Sequence, residues 1–333
     1  MKLLTCASYY STGSSAVTDL ITECDNVHNM GDYEFRFVQD PDGISDLEYN
    51  LVENNHRHNS GYALKRYEKN VKFLAGNKLI KKYNIYFGKE WKRLSAEYVQ
   101  RLVATEYRGY WHQDLRDKGK VAYFIERLFN KIMHNVFHVY RERNFSLFLG
   151  KNTNYATYPE EKFYEYTKEY IDKLFAYANK DNKEFVMADQ LVPASNTMRY
   201  MKYFTDLKAI CVDRDPRDVF VLEKEAYHGS VVPKKVEDFC IWYKATRAHK
   251  AKEQDDPKRV LRINFEDMLY HYDEMRDKIL EFCGIDKSHH VNSKKYFNPD
   301  VSIKNAEVYK KYPKYAKDIE YIEKELKEYL YKR

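Results

Sequence analysis

An apolar run that stops at a cluster of small or capping residues and restarts as a helix constrains a fold more than any composition does, and this chain has two of them. In the first, Lys2-Leu3-Leu4-Thr5-Cys6-Ala7 leads into Ser8-Tyr9-Tyr10-Ser11-Thr12-Gly13-Ser14-Ser15 and then Ala16-Val17-Thr18-Asp19-Leu20-Ile21. In the second, Leu207-Lys208-Ala209-Ile210-Cys211-Val212-Asp213 leads into Arg214-Asp215-Pro216-Arg217-Asp218. Each reads as a buried strand followed directly by a helix start.

The first junction has the chemistry of an anion cradle. A helix N-terminus offers unpaired N–H groups and the positive end of its dipole. Gly13 lets the backbone approach an anion closely, a side chain there would obstruct it, and Thr12, Ser14 and Ser15 add hydroxyl donors. The common triphosphate loop, G-x-x-x-x-G-K-[ST], is not present, since the first Gly and the Lys before the Ser pair are missing. Ordinary helix capping by small residues would produce the same pattern.

The second junction adds a cation. Asp215 stands at a helix cap, Pro216 at the first helical position and Asp218 three after the cap. Arg214 therefore falls at the carboxyl end of a strand, the edge where open α/β sheets bind ligands, and its fork of donors suits a phosphate. The alternative is an ion pair between Arg214 and a neighbouring Asp.

Taken together, the Gly-Ser-Ser loop and the distant strand ending in Arg-Asp-Pro-Arg-Asp-Val resemble the sulfotransferases that use 3′-phosphoadenosine 5′-phosphosulfate, in particular the bacterial type acting on polysaccharides. The segment Val260-Leu261-Arg262-Ile263-Asn264-Phe265-Glu266-Asp267-Met268 is similar to the strand and turn before that family's late helix, which leads on to Phe282-Cys283-Gly284-Ile285. The resemblance spans residues 1–22 and 184–285; between about 45 and 180 no family motif is matched. It implies that Ser11, Thr12, Gly13, Ser14 and Ser15 hold the 5′-phosphosulfate and that Arg214 holds the 3′-phosphate. The implied reaction moves a sulfuryl group to a carbohydrate hydroxyl, with no metal.

Two positions depart from the family pattern. Where many members carry a Lys or Arg before the small-residue loop, this chain has Tyr10 and Ser11, and a Ser common after the 3′-phosphate Arg is Leu222 here. The cation for the leaving group is then sought in Arg36, Arg57 or Lys65. A base for the acceptor hydroxyl is sought near the second strand, where Glu34 is favoured over Asp40, His56 and His58. His56-Arg57-His58 also resembles half a metal site but has no third ligand at metal-like spacing. Asp189-Gln190 falls beside the cradle, and His289-His290 reads as a loop pair.

The spacing predicts strands over 2–8, 33–38, 184–188, 207–213 and 259–263, and helices over 15–25, 194–204, 216–227, 234–254 and 265–283. Such alternation argues an α/β fold with a parallel central sheet flanked by helices, like the P-loop nucleotide kinases, with a helical insertion over 40–180. The whole chain, 1–333, reads as a single domain with the insertion as acceptor-binding region. Within it, Lys120 to Arg143 carries Val121, Phe124, Ile125, Leu128, Phe129, Ile132, Met133, Val136, Phe137 and Tyr140, which predicts a buried core helix. Ile319, Ile322, Leu326 and Leu330 predict an amphipathic surface helix.

The net charge of +6, from 57 basic and 51 acidic residues mixed along the chain, argues against a nucleic-acid partner and fits an anionic donor or acidic glycan. Five cysteines without a C-x-x-C pattern read as reduced core thiols, and no leader or membrane span is read, so a cytoplasmic location is expected. Two other readings stay open: a P-loop nucleotide or sugar kinase, and a noncatalytic glycan- or nucleotide-binding protein.

Overall fold

The run Lys2–Ser8 forms β1, the central strand of a five-stranded parallel sheet in the order β2-β5-β1-β6-β7. Its neighbours are β5 (Phe185–Asp189) and β6 (Leu207–Asp213), with Leu4 opposite Met187 on one side and Ala7 opposite Cys211 on the other. β2 (Val27–Glu34) and β7 (Val260–Asn264) close the two edges. Leu3 to Ala7 are all buried, as a strand covered on both faces requires. The computed structural model describes residues 1–77, 79–80, 82–109, 111–139, 152–160, 162–228 and 231–333. The α/β fold class read from the sequence is the one observed.

Two compact units share the chain: Met1–Asp40 with Ile171–Arg333, and Pro41–Tyr170. The first holds the parallel sheet. Helix α1 (Ser14–Thr22) buries Val17, Leu20 and Ile21 against Leu4, Met187 and the helix Tyr272–Cys283. A second cluster joins Phe220, Phe239 and Tyr243 to Ile322 and Leu326 of the C-terminal region, so the expected apolar face there is used for packing. All five cysteines are buried and free. The second unit packs the helices Ser60–Ala75 and Glu90–Leu102 around Tyr67, Trp91 and Tyr98, beside an antiparallel pair of β3 (Thr105–Gly109) and β4 (Asn152–Ala156).

Several expected elements differ. The second strand is Val27–Glu34 rather than 33–38, and Arg36–Val38 is a 3₁₀ turn. Phe35 and Phe37 alternate as in a strand, but Phe37 and Val38 are both buried, which consecutive strand residues on a one-sided edge do not permit. The helix expected over 194–204 is only Thr197–Met201. That expected over 216–227 is Pro216–Leu222 and then a π-helical turn, Glu223–Tyr227, while 234–254 shortens to Val236–Arg247. A break at His271, with φ −128° and ψ 44°, splits 265–283 into Phe265–Tyr270 and Tyr272–Cys283.

The largest difference is in the second unit. The segment expected as a buried core helix is the helix Lys120–Asn135, and its apolar side chains are exposed. Periodicity reports which face is apolar; it does not report what covers that face. Tyr140 and Arg143, the end of that expectation, lie outside the described residues.

One buried acid ties the C-terminal segment to the end of α1. Glu23 is fully buried, and its Oε1 accepts from the backbone N–H of Tyr296 (2.9 Å) and Phe297 (3.0 Å). Its Oε2 lies 2.6 Å from His290 Nε2, and His289 Nδ1 lies 2.7 Å from Asp25, so the histidine pair fastens this loop. Glu23→Ala should cost about 3 kcal/mol by leaving buried donors unpaired, and Glu23→Gln less, because one acceptor oxygen remains. Chemical denaturation measures both; an alanine variant as stable as the parent would show that the loop is held by other contacts.

Candidate active site

Beyond Ser8 the chain turns through three left-handed residues, Tyr10 (φ 85°), Ser11 (φ 56°) and Gly13 (φ 88°), before α1 begins. Left-handed Tyr and Ser cost on the order of 1 kcal/mol each and persist where surrounding structure holds them. Turns of this kind favour concave arrays of backbone N–H groups, a geometry suited to an anion at the start of a helix. Thr12 is buried, and its hydroxyl donates to the Val212 carbonyl on β6 at 2.7 Å. That hydroxyl is therefore a strut between the loop and the sheet. Ser11 Oγ is buried with no hydrogen-bond partner among the described residues, and Ser14 and Ser15 line the cavity at the first turn of α1. Gln190 steadies the loop, its Nε2 donating to Ser8 Oγ at 2.8 Å.

Gly13 is required for two reasons. Its φ is left-handed, and an added Cβ would lie 2.5 Å from Cδ2 of Phe265. The obstruction expected toward a ligand is thus first an obstruction toward the protein's own ring, and a larger residue here disturbs the fold as well as the cradle.

Arg214 follows β6 directly and is 5% exposed. Its guanidinium lies 4.6 Å from the centroid of the same Phe265 ring and donates through one terminal nitrogen to the Asn305 carbonyl. Nε is buried without a partner among the described residues. The neighbouring aspartates do not take it: Asp213 pairs with Arg247 at 2.7 Å, and Asp215 with Arg217 at 2.7 Å. Asp215 also caps the helix, accepting from Arg217 N–H, whereas Asp218 turns away from the expected capping box and accepts from Tyr309 N–H.

The electrostatics around Arg214 are those of a buried cation short of negative partners. Burial pulls its guanidinium below the ordinary value, against the raising influence of Asp218 and Glu266. Burial in turn pushes the Asp218 carboxyl up to about 6 and the Glu266 carboxyl up to about 7, with Arg214 opposing both shifts. Glu266 Oε1 accepts from Asp215 N–H at 2.9 Å, which keeps it beside the Arg.

Both motifs open on one cavity of about 450 Å³, lined by Ser8, the loop Tyr10 to Ser15, Arg214 and Phe265. Glu34 lines it too, from the end of β2, as do Leu222, Tyr227, Tyr296 and Asn305. Ser11, Thr12, Gly13, Ser14, Ser15, Arg214 and Glu34 are therefore brought together. Arg36 stands next to this wall, held by Glu34 (3.1 Å) and Asp40 (3.0 Å). His56, Arg57, His58 and Lys65 belong to the other unit. There His56 lies on an exposed turn and accepts from His58 N–H, and Lys65 is bound to Asp114 (3.1 Å) and Asn154 (2.8 Å). Phe265 and the segment from Tyr296 to Asn305 were not foreseen as site residues; Phe265 stands in a recognisable strand-to-helix turn, while the later segment carries no signal of its own. Among the described residues no three His, Cys, Asp or Glu side chains are grouped to hold a metal ion.

A sequence model of the sulfotransferase family matches residues 87–289. That span contains the Arg214 motif and reaches into the stretch where no motif was recognised, but does not include the first loop. No curated protein sequence matches significantly. Among solved structures, the sulfotransferase domain of the olefin synthase of Synechococcus PCC 7002 aligns with a TM-score of 0.40 and 10% identity over 92% of this chain and 87% of that one. Retinol dehydratase, solved in complex with androsterone and the inactive cofactor PAP, gives a TM-score of 0.31 and 15% identity over 91% of this chain and 66% of that one. Sulfotransferase STF9 of Mycobacterium avium gives a TM-score of 0.35 and 11% identity over 97% and 76%. The family match sets aside the kinase and the noncatalytic readings: this chain belongs to the sulfotransferase family and is a sulfuryl-transferring enzyme.

Proposed function

We propose that the cavity binds 3′-phosphoadenosine 5′-phosphosulfate, with the phosphosulfate in the turn before α1 and the 3′-phosphate at Arg214, and that the acceptor is a carbohydrate hydroxyl. The observation that carries the donor assignment is Arg214, buried with an unpartnered Nε in the same cavity as a left-handed anion turn. Two separate anion sites in one cavity suit a nucleotide phosphorylated at both ends. For the acceptor, support comes from the cavity lining, where Tyr10, Tyr227 and Tyr296 offer rings with polar edges suited to a sugar. The unit Pro41–Tyr170 is the proposed acceptor-binding part. Five buried free thiols favour a cytoplasmic setting.

In the proposed step the acceptor oxygen attacks sulfur in line, the bond from sulfur to the bridging phosphate oxygen breaks, and the hydroxyl proton passes to Glu34. Developing charge on the leaving phosphate is met by the N-terminus of α1, by the Ser14 and Ser15 hydroxyls and by Arg36 beside the wall. The adenosine bisphosphate leaves with both phosphates.

Calorimetry should show 3′-phosphoadenosine 5′-phosphate binding about ten- to a hundredfold more tightly than AMP, the worth of one charge-assisted phosphate contact. Arg214→Ala should remove that difference while leaving AMP affinity close to the parent value. Equal affinities in the parent, or a parallel loss for both ligands in the variant, would sink the assignment.

Glu34→Gln should lower turnover on a sulfatable acceptor by about a hundredfold or more with little change in donor affinity. Arg36→Ala should show the same split, since its charge matters most as the leaving oxygen becomes negative. His56→Ala tests the imidazole alternative: a larger loss there than at Glu34 would make His56 the base.

The raised carboxyls give the bisphosphate a pH dependence. A phosphate arriving beside Glu266 makes its protonation more favourable, so binding takes up protons near neutrality and affinity falls as pH rises through about 7. Calorimetry in buffers of different ionisation enthalpy reads the uptake directly. Glu266→Gln should abolish most of it, and an unchanged uptake in that variant would exclude Glu266 as its source.

A further inference from the structure

We propose that the helix Lys120–Asn135 is a membrane-surface anchor that lays its apolar face on an anionic lipid bilayer. Val121, Phe124, Ile125, Leu128 and Ile132 recur at helical spacing on one side, and the helix continues in register into Val136. All six are exposed, Phe124 by 68% and Ile125 by 60%. The buried member of the helix is instead Glu126, 6% exposed and paired with Lys118 at 3.4 Å. The helix thus turns its acid inward and its apolar side out, the reverse of a helix that completes a core.

Charge decides between occupants of that face. Lys120, Arg127 and Lys131, at i, i+7 and i+11, form one row along the edge of the apolar side, and all three are exposed. Glu126, the acid of this helix, is buried, and the acids of the preceding helix His112–Asp117 are taken by lysines, Asp114 by Lys65 and Asp117 by Lys69. A basic row beside an exposed apolar stripe matches the boundary between anionic headgroups and acyl chains. A second copy is a poorer occupant. Antiparallel pairing would bring the two basic rows together, and a 16-residue helix, about 24 Å long and about 10 Å across, covers much less than the about 800 Å² that each partner of a stable complex buries. Spanning is excluded for this helix, since no helix among the described residues is long and apolar enough to cross a membrane.

The full chain should be sedimented with vesicles of phosphatidylcholine alone and of phosphatidylcholine with one third phosphatidylglycerol. The expected result is binding to the anionic vesicles only, weakened by high salt. Replacing Lys120, Arg127 and Lys131 together by Gln should weaken binding about a hundredfold, at about fivefold per basic residue. Leu128→Asp with Ile132→Asp should abolish it. Because these positions are exposed, both variants should keep the parent melting temperature and bisphosphate affinity, which separates loss of the anchor from loss of the fold or of the donor site. Absence of binding to anionic vesicles, equal binding to both vesicle types, or binding unchanged in the variants would overturn the proposal. So would a dimer in sedimentation velocity that Leu128→Asp dissolves, since the face would then belong to a second copy.

Discussion

The contact on which the cavity between the two motifs depends is the ring of Phe265. One edge occupies the space that a side chain at residue 13 would need, and the ring lies under the guanidinium of Arg214. Two motifs about two hundred residues apart in the sequence are thereby set against one aromatic wedge, which comes from a third place, the first residue of the helix after β7. A cation over an aromatic face is attracted without being neutralised. Phe265 therefore holds Arg214 in place without occupying Nε, which has no partner among the described residues, whereas a carboxylate at the same position would pair with the guanidinium.

The same logic governs the acids nearby. Asp213 and Asp215, which flank Arg214 in sequence, are occupied by Arg247 and Arg217, and Tyr243 donates to the Arg214 carbonyl at 2.8 Å. These pairs spend the local carboxylates on other cations. What remains close is Asp218 and Glu266, both pushed up toward neutrality by burial. A buried cation surrounded by acids that resist ionising has an unfilled demand for negative charge.

Much of this was legible in the sequence because it is local. A strand that ends in small residues and a helix that begins Asp-Pro-Arg-Asp each carry their geometry within a few residues, so β1, β6, the turn before α1 and the position of Arg214 could be read directly. Arrangements needing two or more distant segments were not legible. Nothing in Thr12 announces that its hydroxyl reaches Val212, and nothing in Tyr296 or Phe297 announces that their N–H groups end on Glu23. The displacement of the second strand has the same origin: Tyr33, Phe35 and Phe37 alternate like a strand, but the ladder to β5 is made by Val27 to Asn29 and, after an irregularity, by Glu34, and at Arg36 the chain enters a 3₁₀ turn.

The helix Lys120–Asn135 shows where sequence periodicity stops being an argument about burial. An apolar stripe lowers the free energy of whatever removes it from water, and a protein core is one such environment among several. The side chain that discriminates is the acid. In a helix packed into a core the charged residues point to solvent, whereas here Glu126 is inside and paired with Lys118 while the aliphatic and aromatic residues are outside. The position of a single carboxylate thus separates a helix that finishes a core from one that faces a partner, and the basic row beside the stripe, rather than the stripe itself, determines which partner that is.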